Sequence, residues 1–97
     1  MKVTPQAIPD LLLIEPTLYR DDRGSFVELF NEARFRDHGL PTRFVQDNVS
    51  RSKRGVIRGL HYQRAQPQGK LISAIEGAIF DVAVDIRVGS PTFAPWV

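Results

Sequence analysis

Cysteine is absent from this sequence, so the chain can build neither a disulfide scaffold nor a thiolate metal site and carries no thiol nucleophile. That composition suits a reducing compartment, and a cytoplasmic location is expected. Long apolar runs are missing as well. The longest Val/Ile/Leu run near the N-terminus is Leu11 to Ile14, far short of a signal-peptide core or a spanning helix, so no membrane partner is expected. Glycine and proline, at 7 each, are too few for a collagen-like or low-complexity chain. With 97 residues there is room for one domain and not for a two-domain enzyme, and residues 1–97 are read as a single unit.

Acidic residues are scarce in one place only. Overall, 13 cations stand against 11 anions, a net charge of +2. Yet no Asp or Glu lies between Asp47 and Glu76, where Arg51, Lys53, Arg54, Arg58, Arg64 and Lys70 all fall. A surface or cleft in that stretch attracts anions, although a solvated cationic loop has the same composition.

What is present is a hydrophobic fraction of 42% distributed with a mostly two-residue period, the pattern of a β protein with a packed core. Leu11 to Glu15 reads as a strand ending at Pro16. Asp21-Asp22-Arg23-Gly24 is a turn leading into Ser25 to Phe30, and a first hairpin is expected there. Asn31 is a good helix N-cap, Glu32 suits a first turn, and Gly39 followed by Pro41 is a stop, so Glu32 to His38 is expected to be the one short helix. His38 then serves as a cation at its C-terminus. Arg43 to Ser50 and Gly55 to Gln63 are further strand candidates, and Lys70 to Ile75 and Ala78 to Arg87 flank Glu76-Gly77 as a hairpin. In the last of these, Phe80, Val82, Val84 and Ile86 share a face expected to be core. Ile79, Asp81, Ala83, Asp85 and Arg87 share a partly polar one. Short strands joined by frequent turns suggest an antiparallel sandwich, jelly roll or barrel. The turn-rich Gly89-Ser90-Pro91 stands where a further strand should follow, so the architecture reads as incomplete.

Arg58-Gly59-Leu60-His61-Tyr62-Gln63 is the densest chemical stretch. On a regular strand Arg58 and His61 point to opposite faces; a bulge at Gly59 brings both toward one site. Histidine is the side chain best suited to take a proton from carbon near neutral pH, and a nearby cation such as Lys70 stabilises the resulting anion. A lone histidine in such a pattern is, however, more often a surface or satisfied imidazole.

Four ordered blocks carry a more specific signal: Asp22-Arg23-Gly24-Ser25-Phe26-Val27-Glu28, Gln46-Asp47-Asn48-Val49-Ser50, Gly55 to Gln63, and the Lys70 segment. Together they resemble the dTDP-4-dehydrorhamnose 3,5-epimerase family, and Gly77 to Asp85 followed by Gly89-Ser90-Pro91-Thr92 continues the likeness over nearly the whole chain. The resemblance implies a mainly β, cupin-type jelly roll of antiparallel strands, a homodimer, and a dTDP-4-keto-6-deoxy sugar substrate used in making dTDP-L-rhamnose for surface polysaccharides. It implies His61 as catalytic base and Lys70 as the lysine beside the sugar ketone. Arg58 matches a substrate-binding arginine, while Arg23, Phe26, Glu28, Gln46, Asp47 and Asn48 match nucleotide and sugar contacts. The family's proton-returning tyrosine and histidine-orienting aspartate belong to a C-terminal half without counterpart in these 97 residues. The chain is therefore expected to be the N-terminal part of a cupin-like epimerase domain, as a fragment or a shortened paralogue.

The residue types suit that chemistry. In a 4-keto sugar, the hydrogens on C3 and C5 are both α to the carbonyl, so one base can remove either and leave an enolate. A positioned ammonium then stabilises the oxyanion, and arginines bind the diphosphate bidentately. Cupins that hold a metal carry Gly-x5-His-x-His and then a Glu. Here Gly55 and His61 have that spacing, but Gln63 replaces the second histidine and Gln68 falls at the glutamate, so no metal and no cofactor are expected. Relatives that epimerise C3 or C5 alone, or a non-catalytic dTDP-sugar-binding module, are the alternatives. A nucleic-acid binder is disfavoured, because no aromatic platform is interleaved with the Arg51 to Lys70 cations.

Overall fold

A computed structural model describes residues 1–94 and 96–97. Among these residues the regular structure is mainly β, with four strands and one helix: β1 (Lys2–Pro5), β2 (Leu12–Glu15), β3 (Leu18–Asp21), β4 (Gly24–Val27) and α1 (Glu32–Asp37). The strands form two antiparallel ribbons. In the first, Lys2 lies opposite Glu15 and Pro5 opposite Leu12. In the second, Leu18 lies opposite Val27 and Asp21 opposite Gly24. The expected Asp21–Gly24 turn thus closes β3 onto β4, two residues separating the paired ends. Gly24 adopts a φ of 140°, open to glycine because it has no β-carbon. Within the expected Leu11 to Glu15 strand, Leu12–Glu15 pairs instead with Lys2–Pro5, a strand its short length and its proline had hidden. Pro5 sits at the strand's last position, where a missing N–H is tolerated.

α1 forms for the anticipated local reasons. The Asn31 side chain accepts a hydrogen bond from the Arg34 backbone N–H at 3.0 Å, and Glu32 pairs with Arg36 one turn on. His38 is the C-cap, its Nδ1 lying 2.9 Å from the Arg34 carbonyl oxygen. Gly39, at φ 70°, donates to Arg36 O at 3.0 Å, and Leu40 donates to Phe35 O at 2.9 Å. These two bonds form a Schellman motif that satisfies the last carbonyls. The helix buries Phe35, which is only 2% exposed, and Leu40 and Ile8 are also buried. Phe30 meets Phe35 edge-on with ring centroids 4.7 Å apart, and Phe44 meets Phe30 at 5.7 Å.

The chain divides into two compact units, residues 1–45 with 81–97 and residues 46–80. In the first, residues 83–85 run beside the C-terminal residues. Val84 bridges Trp96, and Ala83 and Val97 exchange backbone hydrogen bonds of 2.7 and 2.8 Å. The strands expected at Arg43–Ser50, Gly55–Gln63 and Lys70–Ile75 do not form, and Glu76-Gly77 does not close a ladder. Apolar alternation marks a face suited to burial. It does not supply the neighbouring strand whose hydrogen bonds make a ladder, and Val49 and Ile57 remain 82% and 91% exposed. The face expected to be core in Ala78 to Arg87 is likewise corrected: Phe80 and Ile86 are exposed, whereas Asp85, from the polar face, is buried.

Candidate functional site

The residues singled out by sequence fall into both units. Arg23, Phe26 and Glu28 belong to the first, and Gln46, Asp47, Asn48, Arg58, His61 and Lys70 to the second.

In the first unit, the β3–β4 ribbon sets Tyr19 directly opposite Phe26, so the two rings share a face. Beside them lies an open concavity of about 440 Å³, lined also by Arg20, Asp21, Arg23 and Ser25. Arg23 folds back along the turn. Its backbone N–H donates to Asp21 Oδ1 at 2.8 Å, and its Nε and Nη2 donate to Oδ2 at 3.1 and 2.6 Å. The guanidinium, and after it the backbone N–H, hold the Asp21 carboxyl below the usual carboxylate range. Glu28 is paired with Arg34 of α1. Asp21 and Tyr19 were not singled out by sequence, although Asp-x-Arg at the end of a strand is itself a signal for an aspartate that caps its own turn.

The second unit holds its candidates on irregular, exposed backbone. Gly59 takes a φ of 110°, a conformation that favours glycine, but it lies on irregular backbone and so is not a bulge in a strand. A β-carbon built on Gly59 would lie 3.7 Å from both the backbone N and Nδ1 of His61, so the glycine leaves space directly against the imidazole. Arg58 Nε donates to Ser52 Oγ at 3.0 Å, and Gln46 Nε2 donates to Asn48 Oδ1 at 3.3 Å. Arg51 of the cationic stretch reaches Glu76 at 3.5 Å. His61 and Lys70 are exposed, each available to a ligand. Among the described residues no three His, Cys, Asp or Glu side chains gather as a metal site.

Sequence reasoning missed one further polar cluster, in the first unit. The buried Asp85 carboxylate accepts from Arg87 Nε and Nη2, both at 2.9 Å, and from Ser90 Oγ and Thr92 Oγ1, both at 2.6 Å. Arg87 Nη1 also reaches Asp10 at 2.6 Å, tying this turn to the loop after β1. Arg87, then Ser90 and Thr92, hold the Asp85 carboxyl far below its ordinary range. The readable signal was an acid followed at +2, +5 and +7 by donors around Gly89-Ser90-Pro91.

The chain is mainly β with antiparallel strands, and it shares its fold with a solved epimerase of the cupin type. A crystal structure of dTDP-6-deoxy-D-glucose-3,5-epimerase from Legionella pneumophila, in complex with dTDP-4-keto-L-rhamnose, superposes with a TM-score of 0.91. It is 55% identical, over 99% of this chain and 52% of that one. The family profile described as dTDP-4-dehydrorhamnose 3,5-epimerase matches residues 5–97, and the chain belongs to that family. Among curated relatives named dTDP-4-dehydrorhamnose 3,5-epimerase, that of Pseudomonas aeruginosa is 59% identical over 100% of this chain and 54% of its own length. That of Methanothermobacter thermautotrophicus is 60% identical over 88% and 46%. The chain thus spans about half the length of the curated relatives it matches. Among the described residues no helix is long and apolar enough to cross a membrane.

Proposed function

We propose that this chain supplies the substrate-binding and proton-abstracting part of a dTDP-4-dehydrorhamnose 3,5-epimerase, acting on a dTDP-4-keto-6-deoxy sugar as a homodimer. The single observation that carries the reading is the 55% identity, over 99% of this chain, to a protein solved with dTDP-4-keto-L-rhamnose. The relatives that are 59% and 60% identical are named 3,5-epimerases, whereas one from Streptomyces niveus named a 3-epimerase is 42% identical, which favours action at both carbons.

His61 takes the hydrogen on C3 or C5 as a proton. The C–H electron pair becomes the new C=C bond and the carbonyl π pair moves onto the C4 oxygen. Lys70 donates a hydrogen bond to that oxyanion, and reprotonation of the carbon from the opposite face inverts it. Arg58 and Arg23 hold the diphosphate, with Phe26, Glu28, Gln46, Asp47 and Asn48 as nucleotide and sugar contacts.

Abstraction and return of the proton are separable, so exchange with solvent reports on the base alone. In deuterated water, dTDP-4-keto-6-deoxyglucose gains mass in the presence of the chain. His61→Ala slows this by ~10² or more and Lys70→Ala by ~10²–10³. Undiminished exchange in folded His61→Ala would remove the histidine from the role of base. Binding of dTDP without any exchange by the wild type would leave a dTDP-sugar-binding module.

A further inference from the structure

We infer that Asp21 is a positioning residue for Arg23, clamping its guanidinium so that one edge is presented, already ordered, to the diphosphate of a nucleoside-diphosphate ligand; this rests on the functional reading above. Asp21 grips the same arginine three times, through the backbone N–H, Nε and Nη2. A guanidinium has five N–H donors in a rigid fork. The Asp21 contact uses the Nε side and one Nη2 hydrogen. The second Nη2 hydrogen and the Nη1 hydrogen beside it then form the end-on edge, the arrangement that takes two phosphate oxygens in parallel.

Packing does not hold Arg23 in this pose, since its side chain is 91% exposed. The clamp does. Without it, the long side chain must be ordered at the moment of binding, which weakens association. The Asp21 carboxylate also repels a bound phosphate, but its side chain is 51% exposed and solvent screens that repulsion. The surroundings fit the same ligand class, because Tyr19 and Phe26 offer aromatic surface to a base beside the clamped cation.

The two effects of Asp21 have opposite signs, and a double-mutant cycle separates them. Asp21→Asn keeps an oxygen for the Arg23 N–H, so the turn is retained while the charged clamp is lost. Calorimetric titration of the 97-residue chain with dTDP is expected to show Kd raised about fivefold by Asp21→Asn. In an Arg23→Ala background the same change leaves Kd unaltered or lowers it, since only the repulsion remains to be removed. The Arg23 Nε–H resonance is expected to be resolved in the free wild type and to merge with those of the unrestrained arginines in Asp21→Asn. If Asp21→Asn fails to fold, Asp21→Glu replaces it, with the clamp displaced by one methylene and an intermediate Kd expected. Wild-type binding with Kd unchanged by either variant overturns the inference and leaves the functional reading standing. Equal weakening in both backgrounds also overturns it, since Asp21 would then act on the ligand or the fold and not through Arg23. Absence of any dTDP binding by the wild type overturns the functional reading and this inference together.

Discussion

Asp85 sets one negative charge against five donors: the Arg87 backbone N–H, Nε and Nη2, the Ser90 hydroxyl and the Thr92 hydroxyl. Burying a carboxylate is costly unless it is paired and hydrogen-bonded, and here each requirement is met. Its carboxyl is held below its unfolded value, chiefly by Arg87, so the stabilisation is complete above the ordinary carboxylate pKa and is lost as the pH falls below it. Thermal midpoints are therefore expected to stay level from neutrality down to about pH 5 and to drop below that. Asp85→Asn lowers the midpoint at neutral pH and flattens the acid limb. An acid limb of unchanged steepness in the variant would show that other carboxylates control it. The burial of Asp85 was missed because alternation assigned it to the partly polar face, although donors at +2, +5 and +7 stood in the sequence. The turn that bends Ser90 and Thr92 back onto it is a tertiary arrangement, not a two-residue period. His61 and Lys70 are candidates by chemical type and family likeness alone, which need no packing pattern to be noticed.

At the scale of the element, α1 was readable because its signals are local. Asn31, Glu32, Gly39 and Pro41 specify start and stop within eleven residues of each other, and the bonds they imply are present. The β3–β4 turn was readable for the same reason. β1 was not, because its partner β2 lies beyond a loop and a four-residue segment ending in proline carries little propensity signal. Gly39 allows the helix stop to be tested in isolation. A β-carbon there would meet nothing within 4 Å, so replacement by alanine is not opposed by crowding and its cost comes from forcing φ 70° on a substituted residue. Gly39→Ala is expected to lower stability by about 1–2 kcal/mol, read as a shifted denaturant midpoint with unchanged slope. No shift would mean that the Schellman bonds to Arg36 and Phe35 do not hold the helix end in solution.

For the whole molecule, the limiting quantity is apolar surface left in water. Among the described residues Phe35, Leu40 and Ile8 are the buried apolar ones, while Leu60, Tyr62, Ile75 and Phe80 of the 46–80 unit are each more than two-thirds exposed. Irregular backbone in that unit also carries N–H and C=O groups without ladder partners. A surface of this kind exceeds the scattered apolar exposure usual on a monomer and favours association. The outer edges of the β1–β2 and β3–β4 ribbons are the natural place for strands of a second copy to add, because each ribbon has only two strands. Sedimentation at micromolar concentration is accordingly expected to show a self-associating chain, and hydrogen exchange should separate the contributions. Amides of residues 46–80 exchange rapidly at high dilution, those of β1 to β4 and α1 more slowly, and raising the concentration slows exchange at the ribbon edges first. A stable monomer whose β2 and β3 amides exchange identically at all concentrations would remove the ribbons as the dimer interface and require the exposed apolar residues to be accommodated within one chain.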